Sequence, residues 1–232
     1  MSLHDPAVVR AEYENETRLA ARKRAHAAGE GPDAREFVFD AVREIEPRRI
    51  LEVGCGEGEL AERMHSELDA EIVAIDQSER MVELTCARGV QAAVGDVQNL
   101  DFPDASFDCA VAAWMLYHPA DLDRALAQLA RVIRPGGRLV ASTNGTDHLG
   151  ELFELVGVPP IRATFNADNA SEALHRHFSE VERRDAHGWV VFPDTEAAQA
   201  YVDSMVVLSG TVPPLDGPLR ARRTPTIFVA EK

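Results

Sequence analysis

From Arg49 onward the chain alternates between two hydrophobic rhythms. Short apolar runs fall at Ile50–Val53, Ile72–Ile75, Ala92–Val94, Cys109–Ala113 and Leu139–Ala141. Between them, Glu57–Glu67, Ser78–Arg88 and Leu122–Ile133 read as helices. Strands that alternate with helices predict a parallel sheet covered on both faces, with ligands at the carboxyl ends of its strands. Arg134-Pro135-Gly136-Gly137 stops a helix and turns into the fifth strand. Upstream, residues 8–28 read as a mostly polar helix, broken by Gly29-Glu30-Gly31-Pro32. Asp33 then caps a second helix with Phe37, Val38, Ala41, Val42 and Ile45 on its inner face. The last third is less regular. Asp147–Val156 and Ser171–Phe178 read as helices, and Val181–Phe192 and Thr226–Ala230 as strands that close the sheet as a hairpin-like pair. Between those strands an insertion, Asp194 to Arg220, carries a helix and a proline-rich loop.

The 232 residues are 45% hydrophobic, enough for one large α/β domain with a real core. The formal charge of −15 repels nucleic acid and anionic membrane, so neither is an expected partner. Arg18, Arg22, Lys23 and Arg24 follow Glu12, Glu14 and Glu16, the mixed charge of a solvated helix. Cys55, Cys86 and Cys109 show no metal spacing and read as reduced, intracellular thiols. No apolar run reaches the roughly 18 residues of a membrane span, and the N-terminus lacks the apolar region of a signal peptide. A cytoplasmic location is the expectation.

The chemistry concentrates where the first strand ends, at Gly54-x-Gly56-x-Gly58. A dinucleotide fingerprint would place its third glycine one position later, where this chain has Glu59. Glu57 and Glu59 open the helix where a pyrophosphate would sit, which disfavours a negative ligand and favours one carrying an amino group or a sulfonium. Asp76 ends the second strand and suits the hydroxyls of a ribose, since Ser78 already serves as the helix cap. Gly95 permits a sharp turn after the third strand, and Asp96 can accept an adenine amino group.

These stretches, with Gly95–Asp108 and Arg131–Gly137, resemble the class I S-adenosylmethionine-dependent methyltransferases, small-molecule type, similar to the quinone-biosynthesis group. The likeness covers roughly residues 35–145. It implies a doubly wound, seven-stranded, mostly parallel α/β sheet of the Rossmann-like kind, its last strand antiparallel at Thr226–Ala230. It implies one methyltransferase domain over 1–232: an N-terminal lid helix in 1–32, a cofactor-binding core in 33–145, and a variable substrate-side half in 146–232 with the insertion 194–220. By position, Glu52, Gly54, Cys55 and Gly56 would surround the methionine part of S-adenosylmethionine, and Asp76 would bind the ribose diol. Gln77 and Met81 would flank the adenine, and Asp96 with the Val97 amide would read its edge. Ala113 and Trp114 would face the sulfonium end, and Tyr13 with Arg18 resembles a lid pair over the cofactor carboxylate. The chain departs from the base- and glutamine-amide-methylating groups: Ala112-Ala113-Trp114-Met115 replaces their Pro-Pro-aromatic signature, which points away from nucleic acid and protein amides.

Methyl transfer is an in-line displacement that needs a positioned nucleophile and excluded water. A general base helps a hydroxyl or protonated amine. His118 is the leading candidate, beside Tyr117, and His148 is the second, near Asn144 and Asp147. Trp114, Met115, Tyr117, Phe153 and Met205 suit an apolar acceptor pocket. No metal is expected. Two other readings compete: a nicotinamide-dependent oxidoreductase, opposed by the shifted glycine, and a non-catalytic module that binds the cofactor. The acceptor, its methylated atom and the oligomeric state stay open.

Overall fold

The computed structural model describes residues 5, 7, 8, 16–27 and 29–232. Its elements in chain order are α1 (Glu16–Ala27), α2 (Ala34–Arg43), β1 (Arg49–Val53), α3 (Glu59–Glu67), β2 (Glu71–Asp76), α4 (Glu79–Ala87), β3 (Gln91–Val94) and β4 (Phe107–Ala113). There follow α5 (Leu122–Val132), β5 (Ile133–Asn144), α6 (Gly150–Leu155), α7 (Ala170–His175), β6 (Glu180–Asp185), β7 (Gly188–Phe192), α8 (Thr195–Asp203), β8 (Leu219–Arg223) and β9 (Pro225–Glu231).

The main sheet has seven strands in the order β3-β2-β1-β4-β5-β9-β6. β9 runs antiparallel to both neighbours, β5 and β6, and the other pairings are parallel. The expected doubly wound fold is therefore present. β1 is apolar on both faces because helices cover both. Leu51 and Val53 pack with Val73, Ile75, Ala110 and α5 on one side, while Ile50 packs with Ile72, Cys109 and α2 on the other. This is the period-two alternation of a strand buried twice. The strand order reverses between β1 and β4, which opens a crevice at their carboxyl ends. Side-chain caps fix the helix starts: Asp33 accepts from the Arg35 amide and Ser78 from the Met81 amide.

The late chain departs from the pattern reading. The apolar run 181–192 splits at Ala186. Its first part, β6, joins β9 as expected, but β7 leaves to pair with β8 in a separate two-stranded sheet. β8, Leu219-Arg220-Ala221-Arg222-Arg223, was hidden by its arginines. Arg220 and Arg222 point outward, while Leu219, Ala221 and Arg223 share the inner face. The segment Arg134–Gly137 lies inside β5 rather than before it, because β5 already starts at Ile133, and the register with β4 shifts between Phe107 and Cys109. A third apolar cluster joins α6, α8, β7 and β8 and roofs one end of the crevice. Among the described residues no helix is long and apolar enough to cross a membrane.

Candidate active site

The turn after β1 folds back on β2: the Gly54 and Cys55 amides both donate to the Ile75 carbonyl, at 2.8 and 3.1 Å. Gly58 has φ +76 and opens α3; a Cβ there would stand 2.6 Å from Thr85 Oγ1 and 2.8 Å from the Thr85 backbone. Gly56, at φ +54, is different, because a Cβ there would meet nothing within 4 Å. Packing demands the third glycine, whereas the second keeps an open face toward the cavity.

Two carboxylates flank this turn. Glu52, on β1, is 2% exposed, and its Oε2 has no hydrogen-bond partner. Burial, with the nearby Asp76 charge, pushes its carboxyl up to about 8. Asp76 accepts from the Gly56 amide at 3.0 Å through Oδ2 and from the Ser78 amide at 2.9 Å through Oδ1. Burial still raises it above the usual carboxylate range, against the pull of those bonds. Glu57 and Glu59 are both clamped by Lys23 from α1, the latter at 2.9 Å. The N-terminal helix is thereby tied to the glycine turn.

A cavity of about 620 Å³ runs from this turn toward α6 and α8. Of the residues assigned by position, Glu52, Gly54, Cys55, Gly56, Asp76, Gln77, Gly95, Val97, Ala113 and Trp114 line it together. Met81, Asp96 and Arg18 do not line it. Met81 sits in the core at 1% exposure. Asp96 Oδ1 accepts from the Gln98 amide at 2.8 Å and lies 3.5 Å from the Gln77 amide nitrogen, so it borders the lining without joining it. Tyr13 falls outside the described residues. Trp114 holds a left-handed φ of 52° at the end of β4. Its amide donates to the Ser142 carbonyl and hydroxyl, each at 3.1 Å, and its Nε1 to Asn144 at 3.3 Å. Those bonds hold a conformation that costs of order 1–3 kcal/mol.

All three acid–base candidates reach the cavity. Tyr117 and His118 meet edge to face with ring centroids 4.5 Å apart. His148 Nδ1 accepts from the Thr224 amide at 3.1 Å, so the proton of the neutral ring sits on Nε2. His148 stacks on His26 at 5.7 Å, and His26 Nε2 lies 3.4 Å from the Tyr201 hydroxyl. Burial, aided by Arg223 and Arg22, holds His26 down at about 4, and burial also lowers His148 well below its usual range. His26, Tyr201 and Arg223 also line the cavity, although nothing in their spacing marked them. His26 closes a polar helix, Tyr201 lies in the insertion, and Arg223 is one of several arginines in β8.

The site fits an adenosyl sulfonium. An unpartnered buried carboxylate stands beside a turn whose middle glycine is open, and a second carboxylate follows one strand over. A model described as "Methyltransferase domain" matches residues 51–141. The 27-O-demethylrifamycin SV methyltransferase of Amycolatopsis mediterranei is 41% identical over 99 residues, 39% of this chain and 36% of its own length. An O-methyltransferase of Aspergillus nomiae is 33% identical over 154 residues, 60% of this chain and 67% of its own. This chain thus spans about a third to two thirds of the curated relatives it matches. A SAM-dependent methyltransferase structure from Thermotoga maritima shares the fold with a TM-score of 0.61 and 22% identity, over 95% of this chain and 99% of that one.

Proposed function

The chain belongs to the class I S-adenosylmethionine-dependent methyltransferase family, small-molecule type, and on that premise we propose that it transfers a methyl group from S-adenosylmethionine to a small-molecule acceptor. The observation that carries this reading is the orphaned Glu52 Oε2 beside the open face of Gly56. When bound, S-adenosylmethionine supplies a methyl group activated on a sulfonium. Glu52 would receive the ammonium of its methionine part, near the Gly54, Cys55 and Gly56 backbone. Asp76 would hold the ribose hydroxyls with lone pairs left over from its two amide bonds. Gln77, Gly95 and Val97 line the stretch beyond Asp76 and would border the adenine, with Met81 and Asp96 behind them. Ala113 and Trp114 would face the sulfur, with the Trp114 backbone locked so that this wall does not yield.

The proton chemistry falls to His118. The lone pair of His148 Nδ1 is taken by the Thr224 amide, and its Nε2 carries the proton, so His148 donates rather than accepts. His118 would take the proton of a hydroxyl or ammonium acceptor, with Tyr117 orienting the ring. We place cofactor binding in 33–145 and acceptor binding in 146–232, with residues 1–32 as the cover.

Acceptor-dependent release of S-adenosylhomocysteine across a small-molecule panel tests this. Turnover is expected with at least one acceptor, and His118→Ala should slow a hydroxyl substrate by about 10²–10⁴. Tight binding of S-adenosylhomocysteine with no turnover on any acceptor would point instead to a non-catalytic binding module.

A further inference from the structure

The cations around the cavity are not equivalent. Lys23 is held by Glu57 and Glu59, Arg35 by Asp33 at 3.0 Å, and Arg63 by Glu36 at 2.7 Å. Arg223 has no such partner. It lines the cavity at 7% exposure, and its Nη2 donates to the Pro32 carbonyl at 2.5 Å. Its Nε–H meets no acceptor, and among the described residues no carboxylate lies within ion-pair distance of it. The strand period explains why it faces inward. Arg220 and Arg222 take the outer face of β8, where they reach Glu30 and Asp147. Arg223 falls on the inner face with Ala221. Leaving a buried donor unmet costs of order 1–3 kcal/mol, and more when it is charged. The Asp33 carboxylate favours the charged guanidinium from beyond ion-pair distance, but it is itself bonded to Arg35, and the Arg223 Nε–H stays unmet.

Its surroundings include donors beside the Asp33 carboxylate. His148 presents Nε2–H, since its Nδ1 is occupied. His26 and His148 both lie in the field of Arg223, so these groups share one end of the cavity. The Tyr201 hydroxyl stands beside His26. Phe153, Ile161 and Met205 complete an apolar wall. Acidic Glu52 and Asp76 occupy the glycine-turn end.

We propose that this end receives the carboxylate of an apolar organic acid, with Arg223 as its ionic partner and His148 as a neutral donor, so that the methyl acceptor is an amphipathic acid. This rests on the methyltransferase reading of the same cavity. A planar carboxylate matches the fork that the Arg223 guanidinium offers.

Isothermal titration of the full chain tests it, first with S-adenosylhomocysteine and then, on the saturated protein, with octanoate, octanamide, octylphosphonate, hydrocinnamate and the amide of hydrocinnamate. The acids should bind about tenfold or more tighter than their amides and tighter than the phosphonate. Arg223→Met should erase that preference and leave S-adenosylhomocysteine affinity within about twofold. Should that variant not fold, Arg223→Lys, which keeps the charge without the planar fork, should weaken acid binding and keep its sign. The proposal is overturned if no acid binds the saturated wild type, if amide or phosphonate binds as well as acid, or if the preference survives Arg223→Met. Failure of S-adenosylhomocysteine to bind in the first step would instead overturn the methyltransferase reading.

Discussion

Glu52→Gln should uncouple cofactor binding from protons. In the free protein the Glu52 carboxyl sits at about 8, raised from its ordinary 4.5 chiefly by burial. That rise corresponds to roughly 5 kcal/mol, at ~1.4 kcal/mol per pH unit. The sign follows from where the proton is bound. The folded state holds a proton that the unfolded chain has lost, so stability falls as pH rises from about 4.5 to about 8. A cationic ligand reverses the balance, because its ammonium favours the carboxylate and the proton must leave. Between about pH 5.5 and 7 the free site is protonated and the occupied site is not, so affinity for S-adenosylhomocysteine should climb nearly tenfold per pH unit, roughly 30-fold or ~2 kcal/mol in all. Titration calorimetry in buffers of different ionisation enthalpy should show close to one proton released at about pH 6.5. Glu52→Gln should bind more weakly, with a flat pH profile and no such release. Asp76 is raised by burial as well, so Asp76→Asn apportions any remainder. Wild-type binding without proton release, or an unchanged slope in Glu52→Gln, would refute the assignment of Glu52 to the ligand's ammonium.

The glycine turn and the thiols give further expectations. Gly56→Ala puts a methyl group into open cavity, so stability should fall only by the ~1–2 kcal/mol of the left-handed backbone while S-adenosylhomocysteine affinity drops tenfold or more; urea unfolding and calorimetry separate the two. Gly58→Ala drives a Cβ into Thr85 and should cost roughly 1–3 kcal/mol beyond that backbone term in the same urea experiment. Cys86 is exposed, whereas Cys55 and Cys109 are buried, and burial pushes the Cys55 thiol up to about 12 and Cys109 up as well. A disulfide reagent should therefore modify Cys86 quickly in the native protein and all three cysteines only after denaturation.

The part of this molecule that could be read from the chain is the part whose signals are local. β1 is apolar on both faces because it lies at the centre of the sheet, so its run declares itself. Asp33 and Ser78 act as caps within their own turn, and the glycine turn carries its meaning in its spacing. The strand at Thr226–Ala230 was legible in its residues, whereas its place as an antiparallel seventh strand of the main sheet came from family likeness. β8 stayed hidden because arginines alternate through it and one of them faces inward. The acceptor end was legible in part, since His148, Phe153 and Met205 were expected there and line the cavity, but its full set of polar groups was not. His26, His148, Tyr201 and Arg223 come from α1, the loop after β5, α8 and β8, and tertiary packing alone brings them together. Asp96 shows the converse limit: its motif is local, but so is the Asx-type bond to the Gln98 amide that occupies one of its oxygens.

Calorimetric titration of the folded full chain with S-adenosylhomocysteine, run in parallel on Asp76→Ala, tests the central claim most directly. Micromolar binding by the wild type is expected, together with at least a tenfold loss in the variant, whose ribose contact and Gly56 amide acceptor are gone. A folded wild-type protein that produces no binding heat, or a variant that binds equally well, would contradict it.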